Sequence, residues 1–511
     1  MFDHKIVRCI HAESLARISC VIGIIFYCVI VAYGMNLSSW CTVDEALYVA
    51  YANEEWRQFS GLPYSESFMK SVAEKRIDHA RDFLSQFKEP RRLFLGKVSD
   101  VAEASKTPLK LELYRKREQE IVSKSYEVNG RPVTWNSWRQ FNAQAKKAAD
   151  RKAVFNEFVG KVDLVTPTIR GMFDKSKEVE AEYGTSPLEL YLQLEGLSLD
   201  QLKDLVKTLG QAAKKPFTEQ LERYSQELNG RPAEYYDDLY FFRGRIFEPL
   251  DSAFKNYSSA EEPKRILAKL GFQVERLQTD AEDRPGKHTS PVCFGVQIPN
   301  DVRLLVRPVK PFTDMESSFH EHGHGMHFIS ISEDAPYWDK YTIPNGVAEV
   351  FSTLLERLMR KEAFLTRQFR VSRDVAQEAI QRARFMELYF LTFYAANSLM
   401  KIEFWEDGLS MEQANERYAR YAEEFIGMDL PGKYWQLHHV MPDYDLYSPS
   451  YMIAAVRAAE LDRKLENLFG ENWWTEKRSG DYIRRIASGG ASIDLARFSK
   501  LDARAYLKPL L

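Results

Sequence analysis

Apolar residues recur at intervals of three and four along most of the chain after residue 44, which is the period of a helix with one buried face. The stretches that show this period most clearly are 65–87, 135–162, 188–209, 235–254, 371–403 and 411–425. Turn-forming pairs such as Asn129-Gly130 and Asn229-Gly230 separate them. The pattern therefore predicts a mainly α-helical protein.

The period changes between residues 271 and 309. Residues 292–298 and 302–306 have the composition of β-strands, and Pro299-Asn300-Asp301 between them is typical of a turn. These features predict a small β-hairpin. The exposed edge of such a hairpin can hold a peptide by backbone hydrogen bonds. A small sheet that only covers the helices is the alternative.

Shortly after this hairpin, residues 320–324 read His-Glu-His-Gly-His, an H-E-x-x-H motif. On a helix, His320 and His324 project from one face about one turn apart, so both imidazoles can bind one zinc ion. Glu321 can then reach a water molecule on the metal. A polar helix face with clustered histidines is the alternative. His322 is rotated off this face, and we expect it to be structural.

A catalytic zinc ion needs a third protein ligand, and the sequence offers Glu349, which follows the motif by 25 residues. Apolar residues at helical spacing predict a second helix over 345–356, and an antiparallel arrangement would bring Glu349 back to the histidines. Ser352, Thr353 and Glu356 lie on or near the same face and are candidates for orienting the ligands. For Glu356, a solvated or structurally paired carboxylate is an equal alternative.

Residues 438–451 form a further candidate site because they hold two histidines and three tyrosines far from the zinc motif in sequence. Neutral donors such as the tyrosine hydroxyl and the histidine N–H suit the oxyanion that forms when an amide is hydrolysed. Histidine and tyrosine also occur often at the edge of a core, which is the alternative for this segment.

These motifs resemble those of the thimet oligopeptidase/oligopeptidase F family of zinc metallopeptidases, peptidase family M3. Residues 320–327 match its H-E-x-G-H-x-x-H signature, and Glu349 with Glu356 matches its second motif, an acidic ligand followed seven residues later by another Glu. Residues 283–287 and 293–295 are similar to the family's segment before the zinc helix. His439, Tyr444 and Tyr451 have the spacing of its His and Tyr loop.

The resemblance implies a helical zincin with two lobes around a substrate channel and the hairpin beside the zinc site. The implied metal ligands are His320, His324 and Glu349. Glu321 would accept the proton of the attacking water, and Tyr451, with His439 or Tyr444, would stabilise the oxyanion. His327, the last His of the signature, would support the ligands or pack behind them.

The expected function is therefore a zinc-dependent metalloendopeptidase that hydrolyses short oligopeptides. One alternative is a metallocarboxypeptidase or peptidyl-dipeptidase of a related helical zincin family, which would need cationic residues to bind a free C-terminal carboxylate. An inactive, membrane-tethered peptide-binding protein is an alternative of another class, and the intact Glu321 argues against it. The ligand set would also tolerate cobalt or manganese.

The first 40 residues differ in kind from the rest. Basic residues precede an apolar run over 18–33, and no charge occurs from residue 18 to residue 43. This pattern predicts a signal peptide or signal anchor, and hence a secreted, extracytoplasmic or membrane-anchored protein. A leader on a cytoplasmic enzyme is the alternative. Beyond the leader only Cys41 and Cys293 remain, too few for a disulfide framework, and the sequence does not decide whether they pair.

A chain of 511 residues, 28% of them charged with a net charge of −3, lacks the basic excess of a nucleic-acid-binding protein. Short peptides are the expected partners. We divide the chain into the leader (1–40), a helical region forming one channel wall (41–270) and the catalytic region (271–511).

Overall fold

The computed structural model describes residues 36–119, 126–135, 137–288, 290–438 and 441–510, and helices account for most of them. The predicted mainly α-helical class is therefore confirmed. The predicted leader lies outside the described residues except for its last five positions. No helix in the described ranges has both the length and the apolar character needed to cross a membrane.

The helices before residue 270 form the first part of the chain. They are α1 Leu37–Phe59, α2 Glu66–Gln86, α3 Arg91–Ser105, α4 Thr107–Gln119, α5 Trp138–Gln144, α6 Ala148–Gly160, α7 Thr166–Glu182, α8 Pro187–Glu195, α9 Leu199–Asn229, α10 Leu239–Arg245, α11 Asp251–Phe254 and α12 Glu262–Lys269.

The predicted stretch 188–209 divides into two helices, α8 and α9. Gly196 has φ +68°, a left-handed conformation that ends α8. Ser198 then begins α9 with a capping box, in which its side chain and that of Gln201 each accept a backbone N–H. The apolar period continues across this break, which is why the period alone does not reveal it.

The helices after residue 310 carry the predicted zinc motif and the segments around it. They are α13 Pro311–Ser330, α14 Tyr337–Tyr341, α15 Asn345–Glu356, α16 Glu362–Gln368, α17 Arg373–Glu406, α18 Met411–Tyr421, α19 Ser448–Phe469, α20 Lys477–Ala487 and α21 Ala503–Leu507.

Two small sheets accompany these helices. Strands β1 Tyr126–Val128 and β2 Arg131–Val133 pair antiparallel. The second sheet has the order β3-β5-β4, from β3 Leu277–Asp280, β4 Val292–Gln297 and β5 Asp301–Leu305. Strands β4 and β5 form the hairpin that the sequence predicts, with Cys293 opposite Leu304. Strand β3, which the pattern did not predict, adds parallel to β5 and leaves β4 at the sheet edge.

One large hydrophobic core includes residues from both sides of the proposed boundary at residue 270, among them Phe217, Phe254, Phe319 and Phe385. A smaller core packs around Trp40, Phe83 and Leu93. The boundary itself stays a prediction. The shared core means that the two parts of the chain are packed against each other around the site.

Candidate metal centre and active site

Two helices in contact carry the H-E-x-x-H motif and the candidate third ligand. Helix α13 holds His320 and His324 one turn apart, and helix α15 holds Glu349 and, at its end, Glu356. His320 contacts Glu356, whereas His324, farther along α13, contacts Glu349, nearer the start of α15. The two helices therefore run antiparallel, as the sequence predicts.

Gly323 allows these helices to cross closely. A Cβ atom at this position would lie 2.4 Å from the Phe351 carbonyl oxygen and 2.5 Å from Ser352 Cα, both atoms of the α15 backbone. A backbone cannot yield as a flexible side chain can, so any larger residue would push α15 away. The glycine inside the motif thus sets the distance between the ligand-bearing helices.

The three predicted ligands meet at this crossing. Their ligand atoms lie within 4.8 Å of one another. Glu349 Oε2 is 3.2 Å from His320 Nε2 and 3.5 Å from His324 Nε2. Two imidazole nitrogens and one carboxylate oxygen form the donor set of many catalytic zinc sites, so the residues fit this metal.

Glu349 is held by neutral donors as well as by the histidines. Ser352 Oγ donates to its Oε2 at 2.9 Å, and the Tyr447 hydroxyl donates to its Oε1 at 2.7 Å. Burial raises the pKa of Glu349, but His324 and His320 outweigh this effect and lower the pKa well below its usual value. The carboxylate is therefore ionised, as a metal ligand must be.

Glu356 orients the other side of the site. Its Oε2 lies 2.9 Å from His320 Nδ1, so that the Nε2 atom of the same ring is directed towards Glu349. Arg360 donates to Glu356 at 2.6 Å and also pairs with Glu387 at 2.8 Å. Glu356 therefore both contacts a candidate ligand and forms an ion pair with Arg360, so the two alternatives for this residue coexist.

Glu321 faces the cavity beside the two histidines. Burial raises the pKa of Glu321 above its usual value, which makes the carboxylate a stronger proton acceptor, while His320 and His324 act in the opposite direction. The backbone of Cys293, on the edge strand β4, also acts to lower the pKa of Glu321. The hairpin therefore lies directly against the candidate base.

Cys293 lies on strand β4, within the segment predicted as a strand, and its half-buried side chain lines the cavity. Its thiol is free, and so is that of Cys41, which lies on α1.

Tyrosine rings line the same cavity as the two candidate histidine ligands. Tyr451 stacks on Tyr394 with ring centres 4.9 Å apart, and Tyr447 packs against both Tyr451 and Tyr444. Burial and the charge of Glu349 raise the pKa of Tyr451 well above its usual value, so its hydroxyl keeps its proton and can donate it in a hydrogen bond. Tyr444 is 40% exposed. His439 lies outside the described residues.

Two hydrogen bonds and an ion pair hold the segment around Tyr444 and Asp445 in place. Lys401 Nζ donates to the Tyr444 carbonyl oxygen at 3.2 Å, and Trp405 Nε1 donates to the Asp445 carbonyl oxygen at 2.9 Å. Lys106 forms an ion pair with the Asp445 carboxylate at 3.0 Å. Burial lowers the pKa of Lys401 to about 7, against the opposing charge of Asp445. The tyrosines thus project from a fixed segment.

The other two histidines of the zinc helix pack in the interior. His322 Nδ1 lies 2.7 Å from the Ser318 carbonyl oxygen, and burial lowers the pKa of His322 to about 4. The ring of His327 packs 4.4 Å from that of Phe351, and burial lowers its pKa to about 3. Both are neutral and buried, in line with the structural roles expected for them.

The three candidate ligands, Glu321, Glu356 and the tyrosines open onto one cavity of about 790 Å³. Residues from the first part of the chain, such as Tyr48, Trp135 and Tyr240, line it together with the zinc helix and the tyrosine segment. A cavity of this size accommodates a short peptide segment. Its wall thus draws on both of the predicted regions.

No protein-family model and no curated protein matches the sequence. The fold is similar to that of an M32 carboxypeptidase from Deinococcus radiodurans, at 18% identity and a TM-score of 0.57, over 92% of this chain and 96% of that one. It is also similar to an oligoendopeptidase F from Bacillus anthracis, at 12% identity and a TM-score of 0.61, over 98% of this chain and 94% of that one.

A third similar structure is metallocarboxypeptidase 1 of Trypanosoma cruzi, at 15% identity and a TM-score of 0.56, over 93% of this chain and 98% of that one. At these identities the similarity establishes the helical fold. It does not establish membership of peptidase family M3, and structures of both oligopeptidase and carboxypeptidase type share the fold.

Sequence reasoning missed the role of Tyr447, which donates to Glu349 across 98 residues of chain. A usable signal was present: Tyr447, the residue that caps the start of α19, precedes Tyr451 by four residues, and their ring centres lie 5.2 Å apart. It also missed Arg360, which is four residues beyond Glu356 and pairs with it.

Proposed function

We propose that this protein is a zinc metallopeptidase that hydrolyses peptide bonds in short peptides. The observation that supports it most is the ligand cluster itself. His320, His324 and Glu349 meet at a cavity that a peptide segment could enter, and Glu321 lies beside them. The fold shared with solved peptidases is consistent with this assignment.

The mechanism follows from the roles that the side chains can take. Zn²⁺ held by the two histidines and Glu349 would lower the pKa of a bound water molecule and polarise the scissile carbonyl. Glu321 accepts the proton of the attacking water and delivers it to the leaving amine. Tyr451 donates its hydroxyl to the oxyanion. His439 and Tyr444 are further candidates for this role on sequence grounds.

Other side chains support two of the three candidate ligands, His320 and Glu349. Glu356 accepts the Nδ1–H of His320 and so leaves its Nε2 free to bind metal. Ser352 and Tyr447 satisfy the oxygens of Glu349 that would otherwise be buried without donors. Strand β4 offers an unpaired edge beside Glu321, along which an extended substrate can form backbone hydrogen bonds.

Cleavage within short peptides, as the resemblance to peptidase family M3 implies, is the first candidate specificity. Cleavage at the C-terminus is the second, because several arginines line the cavity and a free carboxylate would need a cation. The two differ in where they cut and not in the chemistry at the metal.

The test is mass spectrometry of a peptide library of mixed length incubated with the protein and with its Glu321→Gln variant, after bound zinc has been quantified in both. Internal cuts confined to short peptides, absent in the variant, would support an oligoendopeptidase. Loss of one or two C-terminal residues would favour the second candidate. No cleavage by the zinc-loaded protein would refute the proposed function.

A further inference from the structure

An arginine of the cavity wall lies next to the zinc helix. Arg243, on helix α10, is half-buried and donates from Nη2 to Ser317 Oγ at 3.2 Å. Its guanidinium lies 5.5 Å from the centre of the Phe390 ring. Ser317 precedes the candidate ligand His320 by three residues on α13, which is less than one helical turn, so Arg243 contacts the zinc helix close to the candidate ligand.

Two other arginines of the cavity, Arg117 and Arg360, form ion pairs with carboxylates, whereas Arg243 does not. Arg117 forms an ion pair with Asp443 at 3.2 Å, and Arg360 is bound by Glu356 and Glu387. Within the described part of the chain, no carboxylate oxygen lies within 4.0 Å of the Arg243 guanidinium.

Two carboxylates, Glu356 and Glu316, interact electrostatically with Arg243 without forming an ion pair with it. Glu356 is already bound by His320 and Arg360. Glu316 interacts with Arg243 only through longer-range electrostatics. The guanidinium therefore keeps donors that face the cavity and have no anionic partner in the described chain.

A second arginine lies on the same wall. Arg139 donates to the Leu437 carbonyl oxygen and stacks over Trp135 at 5.1 Å and Tyr240 at 5.3 Å. Its Nε is buried without a hydrogen-bond partner among the described residues. Tyr240 lies one helical turn before Arg243 on α10 and within electrostatic range of both arginines. Two arginines thus lie close together on this wall, with aromatic rings beside them.

We propose that Arg243, with Arg139 and Tyr240 beside it, forms a subsite that binds a carboxylate group of the peptide substrate. This inference rests on the proposed peptidase function. A guanidinium presents a planar fork of N–H donors that matches a carboxylate, and a pair formed in a cavity is stronger than one at the surface. Because Arg243 adjoins the zinc helix, the carboxylate belongs to a residue close to the cleaved bond.

The carboxylate has two sources, the C-terminus of the substrate and an Asp or Glu side chain. The test uses four versions of one cleaved peptide, with a free or amidated C-terminus and with Glu or Gln next to the cleaved bond. KM and kcat are measured for the full-length protein and for Arg243→Gln, Arg243→Lys and Arg245→Gln. Arg245 is the matched control, since it lies on the same helix but pairs with Glu248 at 3.0 Å.

Arg243→Gln should raise KM roughly 10- to 100-fold for the peptides that carry the recognised carboxylate, with little change in kcat or for peptides without it. Arg243→Lys should raise KM for these peptides by an intermediate factor, and this variant provides the test if Arg243→Gln does not fold. Dependence on the free C-terminus would identify the α-carboxylate, and dependence on Glu would identify an acidic side chain. An equal rise for all four peptides, or the same effect in Arg245→Gln, would overturn the subsite.

Calorimetry in the Glu321→Gln background separates this inference from the proposed function. Binding of the four peptides can be measured there even if no peptide is cleaved. If Arg243→Gln then loses binding only of the peptides that carry the carboxylate, the subsite is supported even where the proposed peptidase function is not. Cleavage that proceeds without any preference for a carboxylate would instead refute the subsite alone.

Discussion

Substitution of Glu356 by Gln tests whether this carboxylate supports the metal ligand that it contacts. Glu356 Oε2 lies 2.9 Å from His320 Nδ1. Burial raises the pKa of Glu356, but Arg360 and His320 lower it to about 2, so the group is anionic at neutral pH. A glutamine keeps the size of the side chain and loses the charge. Removal of such a support typically weakens metal binding about 10- to 100-fold, or roughly 1.4–2.7 kcal/mol.

Zinc affinity would be measured by competition with a chromophoric chelator at fixed pH and salt concentration. Glu387→Gln is the control, because it removes the other carboxylate of Arg360, at 2.8 Å, and has no hydrogen bond to His320. Thermal unfolding of the zinc-free proteins would show whether each variant folds. Equal weakening of zinc binding in both variants, or none in Glu356→Gln, would refute the proposed support of His320.

Three further outcomes are expected. Tyr447→Phe removes the hydroxyl that donates to Glu349 and should weaken zinc binding about 10-fold while the fold stays intact; an unchanged zinc Kd would contradict this role. Gly323→Ala should lower the melting temperature and the zinc content, because its Cβ would meet backbone 2.4 Å away, whereas Gly160→Ala, which meets nothing within 4 Å, should not. Burial lowers the pKa of Lys401 to about 7, whereas an unfolded lysine has a pKa of roughly 10.4. Between about pH 7 and pH 10 the unfolded state therefore binds more protons than the folded state, so the free energy of unfolding rises with pH over this range. Lys401→Met should abolish this rise in the free energy of unfolding, which amounts to at most roughly 4–5 kcal/mol. The measurement is urea unfolding of both proteins at about pH 6, 8 and 10, and a rise that persists in the variant would contradict the role of Lys401.

The helical class, the hairpin and the antiparallel pair of helices were all predictable because each depends on local pattern. A helix repeats every 3.6 residues, so the spacing of His320 and His324 determines that they share a face whatever surrounds them. Glu349 could be selected because it lies early on the next predicted helix. The strands of the hairpin likewise follow from composition and a turn.

Helix ends were less predictable than helices. The break between α8 and α9 depends on one residue in a left-handed conformation and one capping serine, and neither disturbs the apolar period. Strand β3 was missed because four residues that pair with a distant strand carry too short a pattern to stand out. These four residues form a strand because they pair with β5 in the folded protein.

The sequence by itself determined which residues could be metal ligands and which helix faces they occupy. Only the tertiary structure decided what surrounds them: the donation of Tyr447 to Glu349 across 98 residues, and the contact of Arg243 with Ser317 across 74. Local geometry follows from bond angles and helical repeat, which every segment carries in itself. Contacts between distant segments depend on how the whole core packs, and no short stretch of sequence contains that information.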